Sequence, residues 1–425
     1  MTNSNQTLLA HGTAMSDAAM PDAGSDDAPK ARAASRAPRI ALFGGYGGGN
    51  FGNDASLEAI ATFLRAERPE AELSSICSGP EFVAKRYRLP AIANAMRPKS
   101  KLGAALDKVL LRQPSLWSSW LHCLNALGRY DAILVSGTGV FDDFRDSPFG
   151  WPCRLLRWSL AARIRGVKVS YVSVGAGPIT NPVSRLLFKW SAQLAHSRSY
   201  RDADSRDFMQ RLGVDDDKSE VLPDLAFLLP RCADAPRAQS GALTIGVGVM
   251  NYGGWHPTAD GYRAYIELHE RLINWIEKQG HRVRVVIGQT PADLVAVREL
   301  ERRLGKALIS ADDEKMDSFH DAMKAIAETD LVVASRYHVQ IAALKMRRPL
   351  ISLGYAPKNH ALLEQAGLSE FTHDVDNADF DKLTQQIEMV AREPARYVVR
   401  VDERVTAMER RLREALLRLD AIGAG

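Results

Sequence analysis

Cysteine is scarce in this sequence: Cys77, Cys123, Cys153 and Cys232 are the only four, and they stand far apart without the paired spacing of a metal-ligand set. Neither a disulfide framework nor a zinc site is indicated, and a reducing compartment suits such a chain. An excess of one charge sign is also lacking. With 55 basic and 51 acidic residues the net charge is +4, too small to point to nucleic acid as a partner. Long uncharged apolar runs are absent, and no basic start followed by an apolar stretch opens the sequence. A spanning helix and a secretion leader are therefore not expected, which gives a cytoplasmic protein, at most one lying against the inner face of the membrane. Residues 1–37 also lack apolar periodicity. Rich in Ala, Ser, Asp and Gly, they cannot repay the entropy of ordering and are expected to form a disordered tail.

What the chain has in quantity is short β-branched runs that stop at polar or glycine-rich residues and pass into helix-spaced segments. Arg39–Phe43 leads into Gly44-Gly45-Tyr46-Gly47-Gly48-Gly49-Asn50-Phe51-Gly52-Asn53-Asp54, after which Leu57, Ile60, Ala61 and Leu64 repeat at helical spacing. Asp131–Val135 ends in Ser136-Gly137-Thr138-Gly139, and Val167–Val174 ends in Gly175-Ala176-Gly177-Pro178. The same alternation restarts at Leu243–Val249, with further strands expected around Leu308, at Asp330–Ala334 and at Pro349–Leu353. Leu222–Phe227 reads as a strand edge. Strands alternating with helices imply parallel sheets covered by helices on both faces. We therefore expect an α/β protein of two Rossmann-like domains facing a cleft. The first covers 38–230, a patternless linker 231–241, the second 242–375, and helices at 376–425 are expected to pack back on the first domain.

In such sheets ligands lie outside the carboxyl ends of the strands. Ser335-Arg336-Tyr337-His338 occupies one such end, beside the free N–H groups of a helix start. Arg336 offers a planar fork of donors for phosphate or carboxylate, and His338 can exchange a proton near neutral pH. Arg201 and Lys358 follow other strands and are further anion ligands; the bland alternative for Arg201 is an ion pair with Asp202 or Asp204. Asn50, Asn53 and Asp54 supply polar groups for hydroxyls from the glycine-rich loop, which has neither dinucleotide spacing nor the lysine of a P-loop. Asp142 and Asp143 suit sugar hydroxyls, a metal, or simply the cap of a helix start. Around Trp117, Trp120, Trp151 and Trp158 the chain mixes Trp, Leu and Arg, a pattern that fits a helix lying on an anionic membrane or, more often, one facing the core with its arginines in water.

Taken together, Gly47–Leu57, Ser136–Asp143, Gly175–Ile179, Arg201–Ser205, Leu222-Pro223-Asp224, Ser335–His338 and Gly354–Lys358 resemble the polysaccharide pyruvyl transferase family over about residues 39–370. Asn53 departs from the pattern, standing where many members carry Asp. The resemblance implies a fold like that of the glycosyltransferase B class and phosphoenolpyruvate as donor, its pyruvyl group becoming a ketal on a glycan or lipid-linked oligosaccharide of exopolysaccharide synthesis. Arg201, Arg336, His338 and Lys358 are then the donor ligands, and His338 is the general acid or the group that assists phosphate departure. Asp54, Asp142 or Asp143 is the base, with Asp54 foremost, and Asn50 and Asn53 complete the acceptor side. No cofactor or metal is required if the arginines neutralise the phosphate. Competing expectations are a nucleotide-sugar glycosyltransferase of the same fold and a non-catalytic glycan-binding component of polysaccharide assembly.

Overall fold

The computed structural model describes residues 36–96, 113–137, 139–143, 146–215, 219–234, 241–254 and 258–419. Nearly all of the expected tail, most of the linker, and residues 97–112 ahead of the first Trp-rich helix lie outside the described residues. The first sheet is built from β1 (Arg39–Phe43), α1 (Phe51–Glu67), β2 (Glu72–Cys77), α2 (Pro80–Tyr87), β3 (Ala91–Ala93), α3 (Gln113–Leu127), β4 (Ala132–Ser136), β5 (Gly139–Phe141), α4 (Trp151–Arg165), β6 (Lys168–Ala176), α5 (Pro182–Gln193), β7 (Ser197–Tyr200), α6 (Ala203–Arg211) and β8 (Glu220–Val221). Its order is β3-β2-β1-β4-β6-β7-β8, with β5 paired beside β6 and the pairs parallel.

The second sheet comprises β9 (Thr244–Gly248), α7 (Ala259–Lys278), β10 (Arg282–Val286), α8 (Leu294–Leu304), α9 (Phe319–Ala327), β11 (Leu331–Ala334), α10 (Tyr337–Lys345), β12 (Leu350–Gly354), α11 (Pro357–Gln365) and β13 (Thr372–Asp374), followed by α12 (Phe380–Arg392) and α13 (Pro394–Leu417). Its order is β10-β9-β11-β12-β13, again parallel. Strand order reverses between β1 and β4 in one sheet and between β9 and β11 in the other. The glycine-rich loop follows β1 and the Arg-Tyr-His turn follows β11, so both sit at switch points, where open sheets leave a crevice.

Burial on both faces explains the unbroken apolar strands. In β1, Ile40 and Leu42 join a core that continues into the second sheet, whereas Ala41 and Phe43 join the core under α3, α4 and α5. Asn181 caps α5 by accepting from Val183 N at 2.8 Å, ahead of Pro182 in the first turn, and Asp202 caps α6 by accepting from Ser205 N at 2.7 Å. The last helix touches both halves: Glu409 takes Lys345 Nζ at 2.7 Å, Arg413 pairs with Glu67 of α1, and Arg418 pairs with Glu220 at 3.2 Å.

Two expected strands differ. Leu308 joins no sheet; beyond the left-handed Gly305 that ends α8, its N–H is taken by Glu301 Oε1 at 2.9 Å instead of a neighbouring strand. In the stretch read as a strand from Leu222 to Phe227, pairing stops at Val221 and Leu225–Leu228 forms one 3₁₀ turn, capped by Asp224 through Ala226 N at 3.0 Å.

Candidate active site

A buried polar frame fixes the turn after β11. Gln340, fully buried in α10, donates through Nε2 to Ala334 O at 2.7 Å and to Ser352 Oγ at 2.8 Å, while Asn359 Nδ2 donates to Ser335 O at 3.1 Å and Gln340 Oε1 at 3.0 Å. These bonds tie the ends of β11 and β12 to the starts of α10 and α11. Buried donors and acceptors that satisfy one another define a single geometry, because any other leaves one of them unpaired.

From this frame Arg336 reaches toward β10. Its guanidinium pairs with the fully buried Asp293 and donates to Gln289 Oε1 at 3.2 Å, leaving Nε without a partner. Asp293 also accepts Asn251 N and Gly288 N, each at 3.0 Å, so one carboxylate joins the loops after β9 and β10 to Arg336. Arg336 therefore does not extend freely into the crevice; Asp293 holds it and offsets part of its charge.

Tyr337 and His338 turn toward the first sheet. The Arg201 guanidinium lies 4.5 Å from the centre of the Tyr337 ring, and Lys358 Nζ lies 5.7 Å from it on the second-sheet side. Arg201 is buried, with Nε 3.5 Å from Asp202 Oδ2 and Nη1 3.7 Å from Asp224 Oδ2. The His338 ring packs over Gly52 in the first turn of α1, where any Cβ would overlap it. Glycine at 52 is thus required by a side chain from the other sheet.

Behind His338 stands Asp224, and here two orphans face each other. Asp224 Oδ2 and His338 Nε2 are both buried without a hydrogen-bond partner, 4.0 Å apart. Burial, then the charges of Arg201, Lys358 and Arg336, push the imidazole well below its ordinary pKa, so it is neutral as the site stands. Burial pushes the Asp224 carboxyl upward, with Arg201 pulling it back. Leu222-Pro223-Asp224 stood out in the sequence as a motif, yet Asp224 was not among the expected site residues, since the pattern of a cap is all that the local sequence displays.

The expected acceptor residues divide. Asn50 Oδ1 accepts Gly52 N at 3.0 Å, Asn53 Nδ2 donates to Gly45 O at 3.3 Å, and Asp54 accepts Gly47 N at 2.8 Å, so all three brace the loop. Gly47 and Gly49 take positive φ within it. Asp54 is 4% exposed, and burial raises its carboxyl. Asp143 accepts Asn181 N at 2.8 Å and Thr180 N at 2.9 Å, holding the turn into α5. Asp142 keeps a half-buried place at the end of β5. Among the described residues, no three His, Cys, Asp or Glu side chains group to hold a metal ion, and no helix is long and apolar enough to cross a membrane.

Residues 50–357, from the cap of α1 to the start of α11, match the family model of the polysaccharide pyruvyl transferases. The chain belongs to that family. Arg201, Asp224, the turn after β11 and the glycine-rich loop from Asn50 onward fall within the matched span; Gly44–Gly49 and Lys358 lie just outside it. The amylovoran biosynthesis protein AmsJ of Erwinia amylovora is 22% identical over 376 residues, 79% of this chain and 88% of that protein. Together these give this family member a role in polysaccharide modification. Among solved structures, Anabaena Alr3699/HepE in complex with UDP has a TM-score of 0.53 at 13% identity, covering 90% of this chain and 100% of its own. UDP-GlcNAc 2-epimerase of Neisseria meningitidis, bound to UDP-GlcNAc, gives 0.53 at 11%, with the same coverage. Both show the fold: α/β and glycosyltransferase-B-like.

Proposed function

We propose that this family member transfers the pyruvyl group of phosphoenolpyruvate onto two hydroxyls of a polysaccharide or its precursor, releasing phosphate. The observation that carries the reading is the convergence of Arg201, Arg336 and Lys358, from three different strand ends, around a neutral His338 backed by Asp224. A donor bearing both phosphate and carboxylate needs several cations, and arginine matches each group through its fork of donors.

The chemistry follows from the charges. Burial and then three cations keep a proton off His338; the donor's anionic groups cancel those charges, and His338 takes up a proton with Asp224 Oδ2 beside it as counter-charge. That proton goes to the methylene carbon of the donor, leaving a cationic centre at the adjacent carbon. A sugar hydroxyl adds there and loses its proton, with Asp142 as the candidate acceptor. The C–O bond to phosphate breaks, Arg201 and Arg336 stabilise the departing anion, and a second hydroxyl closes the ketal ring, its proton returning to His338.

Calorimetric titration with phosphoenolpyruvate, and separately with a panel of nucleotide sugars, tests the reading on wild type, Arg336→Ala and His338→Ala. Binding of phosphoenolpyruvate that Arg336→Ala abolishes and His338→Ala retains is expected. Binding of a nucleotide sugar in place of phosphoenolpyruvate would overturn it.

A further inference from the structure

The helices α3, α4 and α5 lie side by side over one face of the first sheet, sharing the core built on Phe43, Trp158 and Phe188. Their outer surface is unlike the rest of the molecule in two respects. Half of the large apolar side chains that stand exposed among the described residues are on these three helices, with Trp117 at 67%, Leu121 at 60%, Ile164 at 63% and Trp190 at 45% exposure. Trp117 and Leu121 are one helical turn apart, as are Leu186 and Trp190, so each pair stands on one face of its helix. Phe149, still more exposed, stands just before α4. Single exposed apolar residues are ordinary; a group of this kind marks a contact surface.

The second respect is charge. None of the three helices contains an Asp or Glu, in a chain that has 51 of them. Arg163, Arg165, Arg185 and Lys189 are there instead, and among the described residues none makes an ion pair with a carboxylate; Arg165 and Arg185 donate to the carbonyls of Leu124 and Ile179. Elsewhere the exposed helices mix both signs, as where Arg303 meets Glu299 and Arg298 meets Glu301 in α8. Among the described residues this face alone is apolar, aromatic and of one sign.

We infer that the outer face of α3, α4 and α5 docks on an anionic lipid bilayer, with Trp117, Leu121, Leu186 and Trp190 entering the headgroup region and the basic side chains meeting lipid phosphate. Tryptophan and leucine beside unpaired arginines and lysine is the composition that binds such an interface. A second copy of the chain fits less well. A symmetric pair through this face sets cations against cations with no carboxylate to answer them. Docking this way holds the first sheet against the membrane independently of what the crevice binds.

Flotation of the full chain with phosphatidylcholine vesicles, and with vesicles that also contain phosphatidylglycerol, tests the inference. Wild type is expected to float with the anionic vesicles and to be released by salt. Arg163→Gln and Arg165→Gln should each lower the partition about fivefold, the effect of one cation near an anionic surface. The pair Trp117→Ser and Trp190→Ser should lower it about tenfold or more. Circular dichroism and phosphoenolpyruvate titration of the same variants check that fold and crevice are intact; the two single arginine variants carry the test if the tryptophan pair fails to fold. Equal recovery of wild type with and without anionic lipid would overturn the inference. So would partition insensitive to these substitutions, or a dimer in sedimentation velocity that the tryptophan substitutions dissolve.

Discussion

Replacing Asp224 by Asn removes one charge from the site and little else. The amide keeps the volume, and its oxygen can still accept the Ala226 N–H, now 3.0 Å from Oδ1. What disappears is a negative charge 4.0 Å from His338 Nε2 and 3.7 Å from Arg201 Nη1. A unit charge at about 4 Å in a medium of effective dielectric about 20 contributes about 4 kcal/mol. Arg201 stands at similar range and takes up part of it, so the imidazole should be held lower still in the variant. The imidazole already lies low, through burial and then through Arg201, Lys358 and Arg336; Tyr337 stays neutral beside it, while Asp202 and Asp293 hold two of the cations. Donor binding should therefore draw a proton from solvent in wild type, and affinity should decline as pH rises through the His338 pKa of the complex. In Asp224→Asn both uptake and decline should move to lower pH. Calorimetry with phosphoenolpyruvate in buffers of different ionisation enthalpy counts the protons and needs no acceptor. A wild-type heat independent of buffer, or an equal proton count in Asp224→Asn, would refute the reasoning.

Three further outcomes follow from contacts already described. Gly52→Ala should abolish the donor-linked proton uptake by driving the His338 ring aside, with a change in unfolding midpoint of no more than about 4 °C, since helix propensity favours alanine by up to about 1 kcal/mol; normal uptake in the variant would contradict the packing. Gln340→Ala should cost about 2 to 4 kcal/mol in denaturant unfolding, because Asn359 and Ser352 lose their partner and a cavity opens, and a cost below about 1 kcal/mol would show that the frame relaxes. Glu409→Ala should cost about 3 kcal/mol, chiefly by leaving the buried Lys345 without a counter-charge, since Arg347 keeps Asp402 at 2.7 Å. Burial opposes the Glu409 charge, but Arg347 and Lys345 outweigh it and hold the carboxyl below its ordinary 4.5, so this stabilisation is complete above about that pH and is lost as pH falls through the folded value. Acid melts of wild type and variant should converge there.

The alternation of apolar runs with helix-spaced segments made the fold legible, because parallel strands buried on both faces have no other pattern to show. The position of Arg336 and His338 was legible for the same reason: they follow β11, the most uniformly apolar of the runs in the second sheet. The carboxylates were not. Asp54, Asp143 and Asp224 each follow a strand and each caps or braces a loop, so their neighbours in sequence are alike. Only the fold turns the second oxygen of Asp224 toward a histidine from the other sheet, while the oxygens of Asp143 meet Thr180 and Asn181. Leu308 misled because an apolar residue after a helix promises a strand, and Glu301 takes the N–H that pairing would need.

The last helix has a consequence for engineering. It is fastened to the second sheet through Glu409 and to the first through Arg413 and Arg418, and one apolar core runs through both halves. Chimeras that graft the first sheet of one relative onto the second of another inherit a mismatched clasp. Such a graft should carry Glu67 and Glu220 together with the helix that meets them, so that the clasp travels as a set.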